Sequence, residues 1–371
     1  MKRFYKELWP DTYYDIKKDI EDHPNYWLYV IMGGRHTGKT YSGLKYFYND
    51  MKVPFMFVKR TNEDVKLICS KGNKEGLNAD VAPFKSLNRD LGCNIQAFPI
   101  GPGLGGFYPV DDNENIDGQQ VAYIISLNAG GKYKGSDFSE CDAIIFDEFV
   151  PRIYDRNDRG EGGKVLDLYG TVQRDRIMRG KPELKLICFA NAVNVYNPTL
   201  AELEIVDDVA YMATMQNKID CVCMDDPEEG IFIRLIPLTE KQRKAEEKTG
   251  FYKHMHNTQW GAMAWDNDFS YNDFSCVGRV ALKGYKPVLK LLYKKKKYFI
   301  YVNDDGSYYM TNSPTMANIP EYNLNLEKDV RRFYFYECMD LMEALTENRM
   351  KFKNYTMYDM IYNFKLRFKV N

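Results

Sequence analysis

Short apolar runs alternate with amphipathic stretches along the first part of this 371-residue chain. Several of the runs are apolar throughout rather than alternately apolar and polar, and together they cover residues 26–32, 53–58, 121–127, 143–146 and 184–190. Strands of this kind are buried on both faces, which is typical of parallel strands covered by helices. The pattern therefore predicts an α/β fold built on a mainly parallel sheet.

The pattern changes near residue 225. Residues 225–230 are acidic and turn-prone, and residues 239–250 have the pattern of a capped, exposed helix. Farther along, short strands at 288–293 and 297–302 are followed by a turn-forming Asn-Asp-Asp-Gly sequence, which predicts a hairpin. We therefore expect a first domain at 1–225, a linker at 226–260 and a smaller α+β domain at 261–371.

A phosphate-binding loop (P-loop) directly follows the first apolar run. Its sequence matches the pattern G-x-x-x-x-G-K-[ST], in which glycines let backbone N–H groups wrap around an anion at a helix N-terminus. Lys39 would add a positive charge, and Thr40 would be a ligand of Mg²⁺. The predicted nucleotide-binding residues are Gly33, Gly34, Arg35, His36, Thr37, Gly38, Lys39, Thr40 and Tyr41.

A second glycine-rich sequence, at 101–106, has the formal spacing G-x-G-x-x-G. A dinucleotide-binding fingerprint opens a helix, whereas this sequence continues into Phe-Tyr-Pro and an acidic stretch. We therefore predict a loop here rather than a second nucleotide site.

Two carboxylates, Asp147 and Glu148, end the fourth apolar run. Asp147 would hold Mg²⁺, and Glu148 would polarise the attacking water. Other strands also end in polar residues: Lys59 and Arg60 follow the second run, and Asn191 follows the fifth. Because the carboxyl ends of parallel strands meet at one edge of a sheet, we expect these side chains to lie beside the P-loop. The sequence thus predicts ATP hydrolysis with ATP and Mg²⁺ as the bound groups.

Charge is distributed unevenly between the two predicted domains. The whole chain carries a net charge of −1, yet residues 279–371 contain 17 Lys and Arg against 10 Asp and Glu. A basic C-terminal segment suggests a polyanionic partner. No run of 18 apolar residues occurs, and the eight cysteines are scattered without a C-x-x-C pair, so we expect no membrane partner and a cytoplasmic protein.

Three sequences in this order carry a resemblance to a known family. They are Gly-x-Arg-x-x-Gly-Lys-Thr-Tyr at 33–41, Phe-Asp-Glu-Phe at 146–149 and Phe-Ala-Asn-Ala-Val-x-x-x-Asn-Pro at 189–198. With them, the chain resembles the DNA-packaging ATPases of small tailed phages of the phi-29 type and, more distantly, phage terminase large subunits. The resemblance extends over about residues 26–200. It implies a RecA-like P-loop core with an additional strand, followed by an RNase H-like nuclease domain that has lost its catalytic acids.

The resemblance also implies roles for individual residues. Lys39 and Thr40 would contact the phosphates and Mg²⁺, Asp147 the metal, and Glu148 would act as the base. Asn191 matches the position that senses the γ-phosphate. The family's trans-acting arginine would be Arg174, with Arg176 and Arg179 as alternatives.

The implied partners are those of a DNA-translocating motor. They are double-stranded DNA, further copies of the chain in a ring (a pentamer by resemblance), the portal or connector of an empty procapsid, and in some members a packaging RNA. The motor would act in the host cytoplasm, attached transiently to the procapsid. The expected DNA contacts are Lys132, Lys134, Lys294, Lys295, Lys296 and Lys297. The loop 129–136 could instead serve the nucleotide.

Two other functions are compatible with the sequence. One is a terminase-like ATPase whose C-terminal domain keeps a metal-dependent nuclease, which would require several clustered carboxylates. The other is a P-loop switch or binding protein with slow turnover. Glu148 argues against the switch, because a switch does not need an activated water.

Overall fold

The computed structural model describes residues 3–8, 13–69, 82–151, 160–215, 220–269 and 271–370. The chain divides into two compact units, Met1–Tyr271 and Asn272–Asn371. The first unit contains a ten-stranded sheet, and the second contains a five-stranded sheet. The predicted α/β class with a second, smaller sheet domain is therefore confirmed.

Six parallel strands form the centre of the larger sheet. Its ten strands are β1 (Arg3–Leu8), β2 (Leu28–Gly33), β3 (Phe55–Lys59), β4 (Ile95–Gly101), β5 (Leu104–Pro109), β6 (Ala122–Ser126), β7 (Ala143–Asp147), β8 (Lys185–Asn191), β9 (Asp220–Asp226) and β10 (Ile231–Ile236). They follow the order β1-β9-β10-β2-β8-β7-β3-β6-β5-β4. The strands from β10 to β6 in this order are parallel, and an antiparallel pair flanks them on each side.

All five apolar runs of the sequence become central strands of this sheet, because each has helices or loops on both faces. Strands β2, β7 and β10 are buried at every position. The glycine-rich sequence at 101–106 forms the turn and second strand of the β4–β5 hairpin, with Gly103 at φ 72°. It opens no helix, but residues 104–106 begin strand β5 and are not part of a loop as predicted.

Helices of the first unit connect and cover these strands. They are α1 (Ile16–Asp22), α2 (Lys39–Lys45), α3 (Asn62–Cys69), α4 (Lys85–Leu91), α5 (Glu161–Gln173), α6 (Pro198–Glu202), α7 (Val206–Met215), α8 (Glu240–Glu246), α9 (Gly250–Met255) and α10 (Gln259–Trp265). A π-helical turn, Tyr46–Asp50, continues α2, and a short 3₁₀ helix covers Gly130–Tyr133.

The region expected to be a linker, 226–260, lies within the first unit. Its strand β10 pairs with β2, directly beside the P-loop strand, and with β9. The division of the chain falls at residue 271 instead. The acidic turn at 225–230 is therefore the connection of the β9–β10 hairpin, and an apolar strand follows it. The capped helix predicted from residue 239 is α8, with a capping box between Thr239 and Gln242.

The second unit is a five-stranded sheet with helices. Its strands are β11 (Tyr285–Tyr293), β12 (Lys296–Asn303), β13 (Tyr308–Thr311), β14 (Glu321–Asn323) and β15 (Met350–Phe352). Its helices are α11 (Glu327–Phe333), a π-helical turn at Tyr334–Cys338, α12 (Met339–Thr346), α13 (Tyr355–Tyr362) and α14 (Phe364–Phe368). Strands β11, β12 and β13 form an antiparallel meander, which contains the predicted hairpin. Strands β14 and β15 add to its two edges in parallel.

None of the described helices combines the length and the apolar character that crossing a membrane requires. Within the described part of the chain, no three His, Cys, Asp or Glu side chains are grouped as metal ligands. In the second unit, Lys290 of β11 forms an ion pair with Glu321 of the neighbouring β14, with Nζ 2.5 Å from Oε2.

Candidate functional site

The P-loop lies between β2 and α2, at the carboxyl edge of the parallel strands. Its tight path requires left-handed backbone at Gly38 (φ 89°) and at His36 (φ 63°). A Cβ at Gly34 would lie only 2.6 Å from the carbonyl oxygen of Ala264, so glycine is required there by packing as well. The loop, Asp147, Glu148 and residues 189–191 line a cavity of about 290 Å³. Of the residues expected to bind the nucleotide, those from Arg35 to Tyr41 line this cavity, whereas Gly33 and Gly34 do not.

Lys39 extends back into the loop and is buried. Its Nζ donates to the carbonyl oxygens of Gly34 (2.8 Å) and Gly33 (3.2 Å), to Thr37 Oγ1 (3.1 Å) and to Asn191 Oδ1 (3.4 Å). Burial lowers the pKa of Lys39 to about 7, although the negative charge of Asp147 opposes this effect. An anion held in the loop would favour the charged form of the lysine.

Thr40 and Asp147 lie side by side and are joined by a hydrogen bond. Thr40 Oγ1 donates to Asp147 Oδ1 at 2.8 Å, and the other carboxylate oxygen accepts from Lys59 Nζ at 2.8 Å. A hydroxyl and a carboxylate are hard oxygen ligands, which Mg²⁺ prefers. The residues present therefore fit a Mg²⁺ ion bound together with nucleotide phosphates. Lys59 reaches this site because β3 is the neighbour of β7.

Glu148 follows the last residue of β7 and faces solvent. Its side chain is 62% exposed, its backbone is left-handed (φ 55°), and Lys59 Nζ lies 3.6 Å from its Oε2. Arg60 fixes the backbone of this turn by donating to the carbonyl oxygens of Glu148 (3.1 Å) and Phe149 (2.7 Å), and it is paired with buried Glu161. The Glu148 carboxylate is thus exposed at the opening of the cavity, while hydrogen bonds from Arg60 hold the backbone of its turn.

Asn191 ends β8, the strand between the P-loop strand and the Asp-Glu strand. Its Cα pairs in register with that of Gly33. Its amide oxygen contacts Lys39, as described above. Asn191 therefore lies at the point where a terminal phosphate would face both the P-loop and the Asp-Glu end of β7. The structure therefore brings together Lys39, Thr40, Asp147, Glu148 and Asn191, as expected from parallel strand ends.

Helices α8 and α10 close one side of the P-loop. Arg35 N donates to the carbonyl oxygen of Ala264 (2.9 Å), and its guanidinium lies 5.5 Å from the ring centre of Trp260. On α8, Gln242 Nε2 donates to the carbonyl oxygen of His36 (2.9 Å). Sequence reasoning missed these contacts because they join the loop backbone to residues that are far away in the chain. The capping box alone indicated only a helix.

The three candidate arginines differ sharply in burial. Arg176 is fully buried and donates to the carbonyl oxygens of Ser139 and Cys141 and to Asp142 Oδ1, at 2.6–3.0 Å. Arg176 is therefore a structural residue and cannot reach a neighbouring subunit. Arg174 and Arg179 are exposed; Arg174 caps the end of α5, and Arg179 forms an ion pair with Asp175 at 2.8 Å.

The expected DNA contacts fall in both units. Lys132 and Lys134 are exposed on the first unit, beside α5, where Lys134 forms an ion pair with Asp167 at 2.8 Å. The carbonyl oxygen of Lys134 also accepts a hydrogen bond from Arg174. The run of four lysines at 294–297 covers the turn after β11 and the first two residues of β12 in the second unit, and it is exposed throughout. The six lysines thus form two groups.

Similarity to known proteins covers nearly the whole chain. The family model of the podovirus DNA encapsidation protein (Gp16) matches residues 110–369. The DNA packaging protein of Bacillus phage B103 is 24% identical over 356 residues, which are 92% of this chain and 98% of that protein. The DNA packaging protein of Bacillus phage phi29 is 24% identical over 257 residues, 67% of this chain and 71% of that one.

Two solved structures share the fold. A chain of the bacteriophage phi-29 viral genome packaging motor assembly superimposes with a TM-score of 0.60 at 18% identity, over 96% of this chain and 99% of that one. A chain of the phi-28 gp11 DNA packaging motor gives a TM-score of 0.58 at 17% identity, over 98% and 99% of the two chains.

Proposed function

Since this chain belongs to the podovirus DNA encapsidation protein (Gp16) family, we propose that it is the ATP-hydrolysing subunit of a viral genome packaging motor. The observation that carries the proposal is the convergence of Lys39, Thr40, Asp147, Glu148 and Asn191 on one cavity. Packing alone does not require five polar groups from three strand ends to meet at an open cavity of this size.

Each residue of the cavity would have a separate role in phosphoryl transfer. The P-loop backbone and Lys39 would hold the phosphates, while Thr40 and Asp147 would hold Mg²⁺, which neutralises charge on the phosphate oxygens when bound. Glu148 would orient and deprotonate the attacking water, for which its exposure at the cavity opening is suited. Asn191 touches Lys39 and would detect whether the terminal phosphate is present.

The same proposal assigns Arg174 to a neighbouring subunit's active site. Its own guanidinium is exposed on a loop after α5, where it contacts the backbone of Lys134. An arginine entering from the next subunit stabilises charge on the transferring phosphoryl group and accelerates hydrolysis by about 10³–10⁵-fold in other NTPases. Hydrolysis would therefore depend on assembly into a ring. Arg179 remains the alternative donor.

Double-stranded DNA is the proposed cargo, and the exposed lysines at 132, 134 and 294–297 are its proposed contacts. We further propose that the ring works in the host cytoplasm on the portal of an empty procapsid. The second unit would bind nucleic acid or a partner without cutting DNA.

Steady-state ATP hydrolysis tests the proposal most directly. The purified chain is assayed alone, with double-stranded DNA, and with DNA plus empty procapsids, each beside Glu148→Gln. We expect turnover that rises with DNA and procapsids and disappears in the variant. If neither DNA nor procapsids change the rate of ATP hydrolysis, the chain is an ATPase without a packaging role. Plasmid cleavage in the presence of Mg²⁺ would instead identify an active nuclease.

A further inference from the structure

A second cavity, of about 620 Å³, lies next to the P-loop on the side of α4. The residues that define it are Tyr13, Gly38, Tyr41, Lys45, Arg89 and Asp90. Gly38 and Tyr41 also line the phosphate cavity, so the two cavities meet along α2. The second cavity is within the size range of pockets that bind small molecules.

The N-terminal wall of this cavity is fixed to the P-loop. The backbone N–H of Tyr14 donates to the carbonyl oxygen of Thr37 at 3.0 Å, and that of Ile16 donates to Ser42 Oγ at 2.7 Å. The ring of Tyr13 packs beside Gly38, where an added Cβ would lie 3.2–3.6 Å from Tyr13 atoms. Tyr13 is therefore held close to the loop while its side chain stays 63% exposed.

The opposite side of the P-loop is covered. Residues of α8 and α10 contact the backbone of Gly34, Arg35 and His36. A nucleotide whose phosphates occupy the loop must extend its sugar and base away from these helices. On the other side of the loop, Tyr13 and Tyr41 line the second cavity.

The chemistry of the second cavity matches a purine nucleoside. An exposed aromatic ring offers a face on which a base can stack. Asp90 Oδ2 accepts a hydrogen bond from the hydroxyl of Tyr41 at 3.1 Å, and Arg89 pairs with Oδ1 of the same carboxylate at 2.7 Å. A carboxylate held in this way can accept a further hydrogen bond from an exocyclic amino group, such as that of adenine.

We infer that this cavity is the nucleoside site of the bound ATP, with Tyr13 as the stacking platform and Asp90 as the acceptor for the amino group of the base. The inference rests on the proposed ATPase function and adds to it the residues that select the base. It assigns Tyr13 to the nucleotide although it lies 20 residues before the P-loop in the sequence.

Calorimetric binding to the full chain tests the inference with two probes, ATP and inorganic tripolyphosphate, both with Mg²⁺. We expect Tyr13→Ala to weaken ATP binding by about 10- to 100-fold, the range of stacking on one aromatic side chain. The same variant should bind tripolyphosphate like the wild type. Tyr13→Phe keeps the ring and should bind ATP normally. Tyr211→Ala removes another exposed tyrosine, one that packs against Phe4 and lines neither cavity, and should change neither affinity.

The outcomes separate this inference from the proposed function. If the wild-type chain binds neither probe, the ATPase proposal fails. If it binds both and Tyr13→Ala binds ATP normally, or loses both probes equally, the nucleoside site is elsewhere. Asp90→Ala gives an independent check, because it removes the acceptor and should reduce the preference for ATP over a triphosphate with an unaminated purine. Equal preference in Asp90→Ala and wild type would remove Asp90 from the assignment.

Discussion

Lys59 and Asp147 end neighbouring parallel strands, and the Nζ of the lysine lies 2.8 Å from Oδ2 of the aspartate. Both side chains are largely buried, and Asp147 also accepts from Thr40. Although burial disfavours the charged form of Lys59, its ion pairs with Asp147 and Glu148 raise its pKa above the usual value. Lys59 therefore neutralises the carboxylate that would also hold the metal.

We predict that Lys59→Met destabilises the protein mainly when Mg²⁺ and nucleotide are absent. Removing one partner of a buried ion pair leaves an uncompensated charge, which costs about 3 kcal/mol. Mg²⁺ with ADP should recover part of the loss, because the metal supplies the missing positive charge. Thermal unfolding with and without Mg²⁺·ADP measures both effects.

A matched variant in an exposed pair serves as the control for Lys59. Lys286 pairs with Asp304 at 2.7 Å, but both side chains are more than 70% exposed. Lys286→Met should change the free energy of unfolding little, because water and salt screen an exposed ion pair. An equal loss of stability in Lys59→Met with and without Mg²⁺·ADP would show that the lysine does not stand in for the metal's charge.

Glu148→Gln should bind ATP normally and hydrolyse it very slowly. Its side chain is 62% exposed, so the change costs no packing, but the amide cannot accept a proton from water. General base catalysis contributes about 10²–10⁴-fold, and single-turnover phosphate release should fall by that factor. Glu240→Gln, on the exposed face of α8, is the control and should release phosphate normally. Rapid release from Glu148→Gln would exclude Glu148 as the base.

The P-loop and the Asp-Glu strand could be predicted because each is a contiguous pattern with its chemistry in adjacent positions. Their convergence could also be predicted, because parallel strands end at a common edge. The position of β10 in the sheet could not be predicted. Its apolar residues follow an acidic turn, and no local pattern shows that they pair with β2 across about 200 intervening residues. Because this local signal is missing, the sequence predicts a linker at 226–260 where the structure has a strand of the larger sheet.

Burial was the other property that the sequence could not supply. Arg174, Arg176 and Arg179 lie within one short polar segment, and their residue type and spacing make them equivalent. Only tertiary contacts turn Arg176 inward, where Cys141 and Asp142 precede β7 and receive its hydrogen bonds. The same holds for the packing of α10 against the P-loop, which joins backbone atoms of Arg35 and Ala264.

Arg174→Ala and Arg176→Ala should fail in different ways. Arg174→Ala should fold and bind ATP normally, but its rings should hydrolyse ATP about 10³-fold more slowly or worse. Arg176→Ala should lose about 3–5 kcal/mol of stability, because Asp142 loses its buried ion-pair partner and the carbonyl oxygens of Ser139 and Cys141 lose a hydrogen bond. Hydrolysis at high protein concentration and urea unfolding separate the two defects.

Mixed rings provide the decisive control for Arg174. A subunit with Arg174→Ala keeps its own Glu148, so it should hydrolyse ATP when a Glu148→Gln neighbour donates the arginine. Either variant alone should be inactive. If the mixture remains inactive, or if Arg174→Ala is fully active alone, the arginine does not act in trans, and Arg179→Ala becomes the next variant to assay.

Gly43→Ala should destabilise the protein, although alanine is the better helix former. A Cβ at Gly43 of α2 would lie 2.6 Å from Cε2 of buried Phe189, which cannot move without disturbing β8. Overpacking of this kind costs about 1–3 kcal/mol. Gly170→Ala is the control: no atom lies within 4 Å of the added Cβ, so α5 should gain about 0.5–1 kcal/mol. Urea unfolding measures both, and a stabilised Gly43→Ala would contradict the close packing.

Replacing the four lysines at 294–297 by glutamine should weaken binding to double-stranded DNA and flatten its salt dependence. Each phosphate contact contributes about −0.9 to the slope of log K against log salt concentration, so the slope should become less negative by up to about four. Glutamine removes each charge but keeps a polar side chain that is unbranched at Cβ, including at Lys294, whose backbone is left-handed (φ 52°). Fluorescence anisotropy with a DNA duplex at several salt concentrations gives the slope.

The double variant Lys132→Gln with Lys134→Gln provides the comparison on the first unit. Lys134 already shares its charge with Asp167, so this variant should change the slope by less than about two. An unchanged slope in the fourfold variant, together with a large change in the double variant, would assign the main DNA contact to the first unit. Because the slope counts neutralised phosphates rather than affinity alone, it distinguishes a lost contact from a general loss of folded protein.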